Sequence, residues 1–175
     1  MAVKGKGARD KGSRAERKVR DILRTIYPTE LRRNVQRIPM SGAGYIKGDV
    51  ADNNDTDSCY EVKNQESLHL PDWWRQAKSQ AGLHRTPVLV VTQNHRPFYF
   101  ILRKGDWEAM VAETEFKSYT ETSKVKSGST FFDEMADLDS KVCGAVELDD
   151  DECLAVSQLF YIAVKTSLFQ SSVVQ

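Results

Sequence analysis

The chain has 175 residues, enough for one ordinary domain with an extension, and its 25 Lys and Arg balance 25 Asp and Glu. Its three cysteines, Cys59, Cys143 and Cys153, are odd in number and form no Cys-x-x-Cys pair, which argues against a disulfide framework and fits a reducing, cytoplasmic compartment. No apolar run reaches the ~20 residues that span a bilayer and the N-terminus has no hydrophobic signal region, so a soluble, unexported protein with no membrane partner is expected.

The zero balance hides an asymmetry. Residues 1–47 carry 13 Lys and Arg against 4 Asp and Glu, whereas residues 106–175 carry 5 against 14. Fields act locally, over a Debye length of ~10 Å, so a basic half of this kind suits a polyanion and makes nucleic acid the leading partner class. A solvated charged surface is the plainer reading of the same asymmetry. His69, His84 and His95 have no zinc-ligand spacing and read as surface or DNA-facing residues.

In chain order, residues 1–12 form a Lys/Arg/Gly arm with little to bury, expected to order only on a polyanion. Ser13-Arg14-Ala15-Glu16 has capping-box spacing, and Ala15, Val19, Ile22, Leu23 and Ile26 follow at helical intervals up to Pro28. Arg14, Arg17, Arg20 and Arg24 fall largely off that stripe, so the helix can pack on a sheet and still face phosphate. Residues 31–38 read as a strand, Ser41-Gly42-Ala43-Gly44 as a loop, and 46–51 and 58–63 as two further strands. A helix is expected over 71–81, with Pro71 in its first turn, Gly82 at its end and one of Trp73 and Trp74 in the core. The other tryptophan is free to stack on a base or to bury at an interface. Residues 87–92 and 97–102 are strongly β-prone, and a short helix starts at Gly105-Asp106-Trp107. The order α-β-β-β-α-β-β-α predicts an α/β fold, a mixed central sheet flanked by helices. Residues 13–117 form this core, 118–130 read as a linker, and 131–175 as an acidic and apolar C-terminal extension. Packing on the core is the first expectation for that extension, with a dimer contact or an acidic lid as alternatives.

The chemistry concentrates in Gly48-Asp49-Val50 and Glu61-Val62-Lys63. Side chains alternate along a strand, so Glu61 and Lys63 share a face, and the turn-forming residues between 52 and 57 let the chain bring Asp49 beside Glu61. Two carboxylates next to one ammonium group suit a hard divalent cation. A Gly-Asp turn and a solvated Glu-x-Lys ion pair are the bland alternatives.

Lys11-Gly12-Ser13-Arg14-Ala15-Glu16-Arg17, Arg37-Ile38-Pro39-Met40-Ser41-Gly42, Gly48-Asp49-Val50 and Glu61-Val62-Lys63 occur in an order that resembles archaeal-type Holliday junction resolvases of the PD-(D/E)xK nuclease superfamily, over about Lys11 to Trp107. The resemblance implies a restriction-endonuclease-like core and a homodimer that cuts branched DNA, a four-way junction, by paired metal-dependent hydrolysis leaving 5′-phosphate and 3′-hydroxyl ends. It makes Asp49 and Glu61 metal ligands together with the Val62 carbonyl, adds Glu16 as a further carboxylate near the metal, and gives Lys63 the positioning of the attacking water. Ser41 and Arg17 would contact the phosphate or order the site, and Arg37 would clamp DNA. Mg²⁺ is the implied cofactor, with Mn²⁺ able to substitute.

Alternatives accompany these roles. Glu16 also fits as the capping-box partner of Ser13, Ser41 as a plain loop residue, and Gln65 as either a site-lining, DNA-contacting amide or a surface residue. The competing functions are a restriction-like or repair endonuclease with the same site, and a DNA-binding module that keeps the fold without activity.

Overall fold

A computed structural model describes residues 4–39, 47–118, 122–124, 128, 131–136, 143–148 and 152–174. Among them, the helices are α1 (Lys4–Arg24), α2 (Leu70–Ala81), α3 (Lys104–Ala112), α4 (Phe131–Ala136) and α5 (Leu159–Val173). The strands are β1 (Val35–Arg37), β2 (Val50–Asp52), β3 (Ser58–Asn64), β4 (Thr86–Thr92), β5 (Tyr99–Arg103), β6 (Thr122–Lys124), β7 (Cys143–Glu147) and β8 (Cys153–Ser157). They form one mixed sheet in the order β1-β2-β3-β4-β5-β8-β7-β6, in which β3–β4 and β6–β7 are parallel. The expected order of elements up to α3 is reproduced.

Period-two alternation sorts the sheet residues into two cores. Val88 and Val90 of β4, with Phe100 and Leu102 of β5, face α1, α3 and α5; Leu89, Val91, Tyr99 and Ile101 face α2 and α4. In α1 the stripe Ala15, Val19 and Leu23 is buried at i, i+4, i+8, while Arg14, Arg17 and Lys18 remain exposed. The helix starts at Lys4 rather than at Ser13, so Ser13 lies inside it and does not cap it. Helical Gly5, Gly7 and Gly12 each cost about 1 kcal/mol relative to alanine. In this half of the helix Lys11 Nζ lies 2.5 Å from Glu66 Oε1.

The helix α2 is the crossover that makes β3 and β4 parallel. Pro71 sits in its first turn and Gly82, at φ 67°, closes its end. Trp73 and Trp74 are both buried against the sheet, whereas only one was expected in the core with the other stacking on a base or burying at an interface.

The C-terminal extension completes the sheet. Its strand β8 pairs with β5 through Phe100↔Ser157 to Arg103↔Leu154, placing β8 between the core and β7. Tyr161 of α5 stacks on Phe100 with ring centroids 4.6 Å apart, and its hydroxyl lies 3.0 Å from that of Tyr60 on β3. Burying Phe160, Tyr161 and Val164 contributes about 1.5–3 kcal/mol for each side chain. Of the acidic run, 149–151 lie outside the described residues; Glu152 pairs with Lys78 of α2 at 2.7 Å and with Arg103 at 3.3 Å. All three cysteines are free, and no helix among the described residues is long and apolar enough to cross a membrane.

Candidate active site

The site forms where the chain entering β2 meets the middle of β3. Gly48 adopts φ 100°, and a Cβ there would lie 3.0 Å from the Tyr60 carbonyl and 3.2 Å from Cys59 Sγ. Glycine is therefore what lets this turn press against β3. The approach is fixed by the Asp49 N–H donating to the Tyr60 carbonyl at 2.8 Å and the Ile38 N–H donating to the Asp49 carbonyl at 2.9 Å. Arg85 Nη1 donates to the Lys47 carbonyl at 3.3 Å, just ahead of the turn.

Asp49 is buried, and its Oδ2 accepts the Val62 N–H at 2.8 Å. This bond sets the Asp49 carboxylate beside the segment that bears Glu61 and Lys63. Glu61 is only 3 % exposed. Its Oε1 accepts from Lys63 Nζ at 2.8 Å and from Gln76 Nε2 at 2.6 Å, while Gln76 Oε1 accepts from Lys63 Nζ at 2.9 Å. Glu61, Lys63 and Gln76 thus close a three-membered ring of hydrogen bonds. Burial, and then the charge of Asp49, raise the Glu61 carboxyl above its ordinary range; Lys63 pulls it back and Glu16 adds to the rise. Burial is the larger of the two causes that lift it, with the neighbouring Asp49 charge second.

Glu16 and Arg37 form an ion pair between α1 and β1, and Arg37 Nη2 donates to Ser13 Oγ at 2.9 Å. The Ser13–Glu16 spacing therefore serves a tie to β1 instead of a helix cap, because α1 has already begun. Arg37 is engaged inside the protein, with its side chain 26 % exposed. Arg14 and Arg17 lie on the exposed side of α1, and Gln65 is exposed one residue beyond β3. Ser41 lies outside the described residues.

The structure thus brings together Asp49, Val62, Glu61 and Lys63, with the charge of Glu16 acting on Glu61. The residue that sequence reasoning missed is Gln76. Its signal was present: Gln76 stands three positions after Trp73 on α2, the helix that directly follows β3, at a position exposed beside the buried stripe of Trp73, Trp74 and Ala77.

Among the described residues no group of three or more His, Cys, Asp or Glu is arranged to hold a metal ion. A two-carboxylate site still fits a small hard cation, because Mg²⁺ keeps several waters and is commonly held by one or two carboxylates plus substrate phosphate. The donors present are oxygens, and a cation between Asp49 and Glu61 would offset both the burial of the Glu61 carboxylate and the Asp49 charge beside it.

The model of a family described as "Phage putative PDDEXK endonuclease" matches residues 7–142. This span includes α1, the Gly48-Asp49 turn, Glu61-Val62-Lys63 and α2. No curated protein and no solved structure matches the chain.

Proposed function

We propose that this chain, which belongs to that phage PDDEXK endonuclease family and is a nuclease of the PD-(D/E)xK type, is a Mg²⁺-dependent, structure-selective endodeoxyribonuclease that resolves four-way DNA junctions. The observation that carries the chemistry is the convergence of buried Asp49 and Glu61 beside the Lys63 ammonium. The junction preference rests on the order of short motifs from Lys11 to Lys63.

Nucleases of this superfamily use divalent metal ions. Asp49, Glu61 and the Val62 carbonyl would hold the cation, with Glu16 adding negative charge nearby; Mn²⁺ would substitute for Mg²⁺. When bound, it supplies an acidified water and charge neutralisation at the phosphoryl oxygens. Lys63 positions the attacking water and offers a fixed positive charge to the developing negative charge of the phosphate. Gln76 holds Lys63 and Glu61 at a set spacing, so neither has to reorganise for the reaction. Ser41 and Arg17 would contact the phosphate, and Arg37, Arg14 and Gln65 would line the DNA path. Water attacks phosphorus in line, the P–O3′ bond breaks, and the products are a 5′-phosphate and a 3′-hydroxyl. One chain offers one such site, and two symmetric cuts in a junction need two, so the active species is a homodimer.

The test is cleavage of a labelled four-way junction, a linear duplex, a flap and a single strand, each with Mg²⁺ and with EDTA. The reading expects paired cuts in the junction, weaker cutting of the others and none in EDTA. Equal cutting of all four DNAs would sink the junction preference and leave a restriction-like or repair nuclease; activity in EDTA would sink the metal mechanism.

A further inference from the structure

The exposed basic side of α1 and the turn between β4 and β5 enclose a cleft of about 490 Å³. Lys11, Arg14, Lys18 and Arg96 line it, and among the described residues no aspartate or glutamate does. A chain with no net charge thus places four basic side chains around one depression. Two of them, Lys11 and Arg96, are paired with Glu66 and Asp133, whose side chains are 61 % and 69 % exposed. Exposed pairs of this kind are worth about 0–1 kcal/mol, so a phosphate can exchange for either carboxylate. Arg14 and Lys18 enter no ion pair among the described residues.

The wall opposite α1 is braced. Thr92 Oγ1 lies 3.1 Å from the carbonyls of both Gln93 and Arg96, which share its one proton, and Gln93 Nε2 donates to the Glu66 carbonyl at 2.6 Å. His95 holds φ 62°, the one non-glycine residue with positive φ among those described, a conformation retained at a cost and concentrated where a turn has a job. Asn64, the residue directly after Lys63 on β3, also lines the cleft.

We propose that this cleft is a DNA subsite separate from the candidate metal site: it holds the sugar-phosphate backbone of one substrate strand beyond the scissile bond. The inference rests on the DNA-endonuclease reading and adds to it the place where the flanking strand runs. Because side chains alternate along β3, Lys63 and Asn64 lie on opposite faces of its end, so a strand seated in the cleft passes over that end on its way to Lys63.

Binding of labelled junction and single-stranded DNA, measured in EDTA over a salt series, tests it without any turnover. Replacing Arg14 and Lys18 together by alanine should weaken binding about tenfold or more near 0.1 M salt and lower the log Kd against log salt slope by about 1.5–2, as expected for two lost phosphate contacts. Arg96→Ala should lower the slope by about half as much as the double variant. The control, Lys104→Ala with Lys124→Ala, removes two exposed cations elsewhere and should leave both quantities as they were. Matching thermal melts establish that each variant folds. An unchanged slope in the Arg14/Lys18 variant, or an equal loss in the control, overturns the cleft while junction cutting by the wild type leaves the enzyme reading standing. The expected slopes with no cutting under any divalent ion overturn the enzyme reading and leave the cleft in place.

Discussion

Gln76 on α2 donates to Glu61 on β3 at 2.6 Å and accepts from Lys63 at 2.9 Å, so the helix that crosses between the two parallel strands also sets the spacing of the Glu61 carboxylate and the Lys63 ammonium group beneath it. A residue placed this way acts through Glu61 and Lys63 and need not touch the substrate.

Gln76→Ala is therefore expected to slow DNA cleavage roughly 10–100-fold, the usual cost of removing a group that orients a metal ligand. The half-saturating Mg²⁺ concentration should rise with it, whereas Asp72→Ala, on the same helix and exposed, should change neither. A Gln76→Ala enzyme with wild-type rate and metal dependence would show that the ring of hydrogen bonds has no part in the reaction.

Gly48→Ala tests the turn that delivers Asp49. The added Cβ would meet the Tyr60 carbonyl at 3.0 Å in a backbone conformation that L-residues avoid. A destabilisation of about 1–3 kcal/mol is expected in denaturant melts, with cutting reduced by more than the loss of folded protein explains. A variant as stable and as active as the wild type would mean that the turn can relax without moving Asp49.

Glu61 carries the pH dependence. Its carboxyl is raised above the ordinary 4.5 by burial and by Asp49. The folded state thus binds its proton more tightly than the unfolded state does, and the stability this contributes is present below about pH 4.5 and lost as pH rises through the raised value. Glu61→Gln should consequently melt higher than the wild type at pH 7–8, with the difference closing near pH 4. Mg²⁺ should raise the wild-type melting temperature at neutral pH and leave that of Glu61→Gln where it was. A Glu61→Gln protein less stable than the wild type at pH 7–8 would contradict this assignment of charge.

Truncation after residue 117 addresses the extension. It strips β8 from the edge of β5 and removes Phe160, Tyr161 and Val164 from the core that holds Tyr60, Phe100 and Trp107. At about 1.5–3 kcal/mol for each large apolar side chain lost, the deficit is comparable with a whole domain's stability of about 5–15 kcal/mol. The truncated chain should show no cooperative melt. A soluble fragment that melts cooperatively would make residues 13–117 a unit that folds by itself.

Much of the fold was legible because it is written in local patterns. The alternation of Val88 to Val91 and of Tyr99 to Leu102 sends side chains to two cores, and the stripe Ala15, Val19, Leu23 marks a helix lying on a sheet. The pairing of β8 with β5 could not be read locally, since Leu154 and Arg103 are far apart in sequence and their register is set by packing. The start of α1 was misplaced for a related reason: Ser13 looks like a cap, but its hydroxyl is spent on Arg37 of β1, a contact between distant segments. In the site, the nearness of Asp49 to the Glu61-Val62-Lys63 segment was legible from the strand alternation and the turn before it. Gln76 was not, because an amide on an amphipathic helix reads as surface until the strand under it is known.

The most direct measurement is cleavage of a labelled four-way junction by the wild type, Asp49→Asn and Glu61→Gln in Mg²⁺, each at a protein concentration at which its junction binding, measured in parallel, is saturated. Both substitutions keep shape and hydrogen-bonding capacity while removing one negative charge. Abolished cutting with binding retained is the result expected of a metal site built on Asp49 and Glu61. Cutting that persists in either variant at a rate near that of the wild type would contradict it.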